Sequence, residues 1–199
     1  MGASHRFGMG LLTLAVAGIG LVAFRPRVRQ SQGIPHHLPV AGIENTSPEF
    51  RAKLVEIAIS LGVNPVWLAA IISFESAGTF SSSIRNSQSG ATGLIQFMPS
   101  TARRMGTTTA ELAALTPEDQ LDYVRKYFEP WRHRLSTLSD LYMAVLWPRA
   151  IGQPDNYRLF KDGSVQYAQN RGLDVDGKGY VTKADASRLV DKRIVGSKS

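Results

Sequence analysis

The sequence predicts a mainly α domain, α+β only through a small β-hairpin, with an apolar N-terminal helix in front of it. Three observations carry this. Cap-and-proline signals recur ahead of apolar residues spaced at three and four. One run, Trp67 to Ser76, is apolar on nearly every face. Sixteen uncharged residues, Met9 to Phe24, stand before all of this.

The N-terminal run is closed by Arg25, Arg27 and Arg29. As a helix it would be about 24 Å long, against a hydrocarbon core of roughly 30 Å. Phe7 and Gly8 bring it close to a minimal span. A cleaved signal peptide needs a small-x-small site after the run. The nearby one, Ala15-Val16-Ala17, lies inside it, so residues 1–29 read as a membrane anchor that stays attached. A cleaved signal and a helix packed in a virion are the rival readings. The arginines follow the helix, which by the positive-inside rule keeps the body cytoplasmic. Residues 30–46 hold Gly33, Pro35, Pro39 and Gly42 without a helical period, and read as a linker. His36-His37 lacks further ligands nearby and reads as solvated.

Ser47-Pro48-Glu49 opens the first body helix: cap, first-turn proline, acid at the positive end. Phe50, Leu54, Ile57, Ala58 and Leu61 follow at helical spacing, and Gly62 stops it. Asn64-Pro65 opens the next helix, to about Ser76. Trp67, Ile71, Ile72 and Phe74 make it a central core helix, and Glu75 is its sole charge. Residues 78–89 are rich in Ser, Asn and Gly, a loop or short hairpin anchored by Phe80 and Ile84. Ser100 to Met105 is a short helix closed by Gly106. Thr116-Pro117 caps another, with Leu121, Val124 and Phe128 inward and Pro130 at its end. Ser139-Asp140 starts a helix through Trp147. Residues 47–162 form the main domain, 163–192 a helix-loop-helix packed on it, and 193–199 a tail.

The chain has 199 residues and no cysteine, so it holds one domain without disulfides. Its formal charge is +7, but Arg6, Arg25, Arg27 and Arg29 lie in the first thirty residues. The rest has nineteen basic and sixteen acidic residues, a net of +3. With no basic stripe carrying interleaved aromatics, nucleic acid is excluded as a partner. Mild attraction to anionic wall or lipid remains.

Glu75 ends a greasy helix, where burial disfavours its charged form. A carboxylic acid held neutral near neutral pH suits protonation of a glycosidic oxygen. After it comes Gly90-Ala-Thr-Gly-Leu-Ile-Gln-Phe-Met-Pro-Ser-Thr-Ala102, uncharged and Gly-rich. With Glu75-Ser76, this block resembles the signature of the lytic transglycosylase family with the soluble-transglycosylase (SLT) domain. The signature is Glu-Ser, then Gly-Ala-x-Gly-Leu-Met-Gln-x-Met-Pro-x-Thr-Ala. Ile95 replaces its Met. The resemblance spans roughly residues 50–130 and implies a lysozyme-like fold, peptidoglycan glycan strands as substrate and no required cofactor. It makes Glu75 catalytic, with Ser76, Gly93 and Gln96 supporting it or lining the cleft, and Leu94, Ile95 and Phe97 lining the cleft or only the core. The family's third motif, Ala-Tyr-Asn-Ala-Gly, is matched by Leu141-Tyr142-Met143-Ala144-Val145. Tyr142 survives and is expected to hydrogen-bond Glu75. Asn and Gly are lost, which marks a divergent branch.

From Ser76 to Ala110 the chain has no Asp or Glu. Most glycosidases need two carboxylates. Members of the resembled family use one Glu as acid and then base, while the muramyl 6-hydroxyl closes on its own anomeric carbon. That leaves a 1,6-anhydromuramyl end. Asp140 or Asp155 could supply a second carboxylate by folding close. A hydrolytic muramidase on the same scaffold, a chitinase-like enzyme and a non-catalytic murein-binding virion protein are the alternatives. A wall substrate implies a membrane-anchored protein facing the periplasm, or one carried in a phage virion, which escapes the charge conflict at the anchor.

Asp174, Asp176, Gly179, Val181, Thr182 and Asp185 have the spacing of a calcium loop between two helices, 164–170 and 183–192. Lys178 stands at the fifth position and cannot ligate. Asp185 is shorter than the usual Glu. Asp174, Asp176 and Asp185 are the candidate Ca²⁺ ligands.

Overall fold

The computed structural model describes residues 38–197. The expected anchor (1–29) and His36-His37 lie outside them. Eight α-helices and one two-stranded sheet are described. Helices α1 (Pro48–Leu61) and α2 (Pro65–Glu75) start where the caps indicate. Ser47 Oγ accepts from Phe50 N, and Asn64 Oδ1 from Val66 N. Gly62, at φ 71°, takes the left-handed turn between them. The short α3 (Pro99–Arg104) follows, then α4 (Thr109–Ala114), α5 (Pro117–Phe128) and α6 (Leu138–Leu146). Helix α4 is an addition to the sequence reading. Its signal is the Thr108–Glu111 capping box, in which each side chain satisfies the other residue's backbone N–H. Among the described residues no single helix is long and apolar enough to cross a membrane.

The small sheet lies elsewhere than the hairpin considered for 78–89. Strands β1 (Arg158–Lys161) and β2 (Tyr180–Thr182) pair antiparallel and straddle α7 (Val165–Asn170). Residues 78–97 stay irregular, with only the single bridges Arg85–Thr92 and Thr92–Phe97. Three non-glycine residues there, Ala77, Phe80 and Gln96, have φ 52°. A ladder needs extended backbone, so none grows.

The core forms around α2. Leu68, Ala69, Ala70, Ile71 and Ile72 have no exposed surface. Helix α1 packs on one side of α2, and α6 and α8 (Lys183–Asp191) also pack on it. Burying each large aliphatic side chain contributes roughly 1.5–3 kcal/mol. Helix α8 is fixed from below by a buried ion pair, Lys183 Nζ to Asp140 Oδ1 at 2.5 Å, and by Lys183 Nζ donating to Gln153 O at 2.8 Å.

Within the segments read as linker (30–46) and tail (193–199), the described residues 38–46 and 193–195 are packed and not loose. Leu38 and Val40 are buried, and Val40 bridges Ile194. Ala41 N donates to Arg193 O, and Val195 N to Pro39 O. Ser73 Oγ of α2 donates to Ala41 O. The two ends of the described chain thus clamp together over α2. Proline and glycine mark this stretch because it must bend closely against backbone, not because it is loose. Gly42 shows why: a Cβ there would sit 2.2 Å from Gly78 O, at φ 85°. Gly42→Ala should therefore lose about 2 kcal/mol or more, from overlap and a left-handed alanine. That would lower Tm by several degrees in a thermal melt. Gly152→Ala, at φ 81° but in open space, pays only the backbone term and should lose less.

Candidate active site

Glu75 is the last residue of α2. It is only partly exposed, and burial alone raises its carboxyl from 4.5 to about 7. Glu75 is the sole charge that α2 carries. Phe74 packs edge-on against Tyr142 of α6, ring centroids 5.7 Å apart. The Glu75 charge in turn pushes up both Tyr142 and Tyr127, the latter to about 12, with desolvation the larger cause for each. The two phenols therefore sit in the field of the acid from separate helices. No hydrogen bond joins Tyr142 to Glu75, which corrects that expectation. Tyr142 is 2 % exposed and reaches the site by packing.

No other carboxylate contributes to the state of Glu75. Asp140 is held by Lys183, by Gly152 N at 2.7 Å and by the Thr137 hydroxyl, so its charge is spent inside the α6–α8 junction. Asp155 accepts from Ser139 Oγ at 2.9 Å.

Ser76 is buried and aims at backbone. It donates to Ile72 O at 2.7 Å and accepts from Phe80 N at 3.0 Å. This ties the chain after Glu75 back onto α2 and fixes where the helix ends. The block 90–102 turns back on itself through the Thr92–Phe97 bridge. Leu94, Ile95 and Phe97 are at most 2 % exposed, so of the two places open to them, cleft and core, they take the core. Gln96 stands at the turn with φ 52°, and its Nε2 donates to Gly93 O at 3.1 Å. The amide oxygen of Gln96 is left as an acceptor. Gly93, at φ 83°, must lack a side chain because a Cβ would lie 2.2 Å from Gln120 Oε1.

Gln120 and Tyr127 are site-building residues that the sequence reading passed over. Gln120 has no exposed surface. Its Oε1 accepts from Leu94 N at 2.7 Å, and its Nε2 donates to Ser82 O and Leu112 O at 3.0 and 2.7 Å. One amide thus fastens the Gly-rich block to the loop at Ser82 and to helix α4. It lies in the same stripe as Leu121 and Val124, four residues before Val124, and that was its only signal. Tyr127 donates to Ala144 O at 2.7 Å and packs edge-on to Phe97. It also lines a cavity of about 260 Å³ with Arg104, Met105, Trp131 and Pro148. Its spacing from Tyr123 gave a faint hint.

Asp174, Asp176 and Asp185 do not converge as a metal site. Among the described residues no three metal-ligating side chains form a cluster. Lys178 Nζ stands 2.8 Å from Asp185 Oδ2.

A helical domain with one desolvated carboxylic acid at the end of its central helix has the proton donor that acid–base cleavage of a glycan requires. Residues 56–146, just under half of the chain, match the transglycosylase SLT domain. No curated protein matches the chain.

The raised carboxyl has a consequence for stability. Below pH 4.5 Glu75 is protonated whether the chain is folded or not. Between 4.5 and 7 only the folded chain keeps the proton, so the contribution of this group to stability falls as pH rises and is lost above about 7. Glu75→Gln removes that dependence. It should be more stable than the native chain at pH 8, by up to about 3 kcal/mol, and the difference should close near pH 4. Urea unfolding at the two pH values measures it.

Proposed function

We propose that the chain is a lytic transglycosylase that cleaves the β-1,4 bond between N-acetylmuramic acid and N-acetylglucosamine in peptidoglycan, with Glu75 its single acid and base. The observation that carries this is Glu75 itself: a carboxyl held protonated up to about pH 7 by burial, with no second carboxylate acting on it. The protonated Glu75 gives its proton to the glycosidic oxygen as the C1–O bond breaks. The muramyl 6-hydroxyl then attacks C1, and the Glu75 carboxylate takes the hydroxyl proton. The acid is restored, an anhydro ring is formed, and no water is consumed. The attacking group belongs to the same sugar, so high effective molarity replaces an activated water. Backbone and amide acceptors around Gln96 suit the neutral N-acetyl sugars better than ionic groups would. The substrate lies outside the cytoplasmic membrane, so the enzyme would work facing the periplasm, tethered by its N-terminal run or delivered by a virion.

Mass spectrometry of muropeptides released from purified sacculi tests the reaction type. Ends lighter than the hydrolytic product by one water are expected, and hydrolytic ends would move the assignment to a lysozyme. Glu75→Gln should release muropeptides about 10²–10⁴-fold more slowly while folding normally. Release at the native rate would leave a wall-binding protein as the reading. The rate should also fall about tenfold per pH unit above 7, as the acid loses its proton. A flat profile from pH 6 to 9 would count against Glu75 as the donor.

A further inference from the structure

The loop from Asp174 to Asp185 folds like a cation-binding turn and yet brings its own cation. Asp174 faces inward: its Oδ1 accepts from Lys178 N at 3.0 Å and its Oδ2 from Gly179 N and Tyr167 Oη, each at 2.8 Å. Asp185 caps α8 through Thr182 N at 2.8 Å and the Thr182 hydroxyl at 2.7 Å. The same carboxylate holds Lys178 Nζ with both oxygens, at 2.9 and 2.8 Å. Asp176 Oδ2 stands 3.9 Å from that ammonium and 3.4 Å from Arg188. The Tyr180 ring covers the ammonium, its centroid 5.3 Å away. Lys178 therefore reaches from the fifth position of the loop to its twelfth, the path a bound divalent ion would bridge.

We propose that the Lys178 ammonium is the built-in replacement for a divalent cation, so that this loop closes on α8 without metal. The charge argument is direct. In a calcium loop the acidic ligands repel one another until the ion neutralises them. Here Lys178 and Arg188 neutralise them from within the chain. The hydrogen bond to Asp185, helped by the nearby charges, raises the Lys178 amine, and against the opposing effect of burial the hydrogen bonds from Lys178 and Thr182 lower the Asp185 carboxyl, consistent with a held pair. A calcium ion entering the loop would meet an ammonium already bound to its last ligand, and the two cations repel. The loop is thus two substitutions away from a metal site. With Lys178 exchanged for a carboxylate and Asp185 lengthened, the ligand set for a hard, oxygen-seeking ion such as Ca²⁺ is complete. None of this rests on the proposed activity.

Thermal melting and isothermal titration of the full chain, in EDTA and in excess CaCl₂, test the proposal. The native chain should give one Tm in both solutions and no calcium heat. Lys178→Met, which keeps the stem and removes the charge, should melt several degrees lower. The pair Lys178→Asp with Asp185→Glu should melt low in EDTA, rise by several degrees with calcium, and release binding heat. A native Tm that climbs with calcium would overturn the proposal, as would a Lys178→Met chain as stable as the native one. A folded double variant that takes up no calcium would overturn it too. Should the double variant fail to fold, the native and Lys178→Met melts decide.

Discussion

Everything at the site depends on the desolvation of one carboxyl at the end of α2. The helix has no polar face to lend. Five consecutive residues in its middle are fully buried, and α1, α6 and α8 pack around it. A carboxylate placed at the end of such a helix loses water and gains no cation in return. It also sits at the negative end of the helix dipole, which disfavours the charge further. Holding the proton is the cheaper state up to about pH 7. The same burial that stabilises the domain therefore sets the chemistry of its acid, and a more polar α2 would weaken both together.

That carboxyl must also be held in place, and the braces come from far along the chain. Ser76 ties the residues after Glu75 onto the last turn of α2. Gly42 lets residues 38–46 press on Gly78, and Asn45 Nδ2 donates to Gly78 O at 2.9 Å. Arg193 and Ala41 close the clamp from the other end of the described chain. On the opposite wall Gln120 holds the Gly-rich block through Leu94 N. Apart from the local Ser76 bonds, these contacts join residues separated by 26 to 152 positions. A buried amide with all its partners is rigid, and one missing partner leaves several polar groups unpaired.

The helices were legible because their ends are chemical. Ser47, Asn64, Thr116 and Ser164 cap where the sequence indicates, and proline follows the first three. Glu75 was legible because a lone charge in an apolar helix is conspicuous. The packed ends at 38–46 and 193–195 were not, because proline and glycine mark tight bends and loose tethers alike. Leu94, Ile95 and Phe97 could not be assigned to core or cleft, since an apolar residue suits both. Gln120 was hidden because its role is to satisfy backbone groups on two distant loops and on α4. The bond of Lys178 to Asp185 spans seven residues, yet it was missed because calcium spacing invites attention to acids alone.

The fate of the remaining carboxylates separates the mechanisms that this fold permits. Asp140 is the acid on α6 closest in sequence to Tyr142, and it is drawn into the α6–α8 junction by Lys183. Its carboxyl is lowered by that lysine, by Gly152 N and by Thr137 against an opposing burial effect. Such a pair serves to lock two helices, because breaking it would leave one buried charge alone. It is therefore poorly suited to activate a water at the acid. A hydrolase needs that second group, whereas a reaction closed by the sugar's own hydroxyl does not. The loss of Asn and Gly at Met143 and Val145 fits the same picture. Met143 is fully buried, and the neighbouring Ala144 carbonyl is taken by Tyr127. In this chain α6 packs against α2, whose last residue is Glu75.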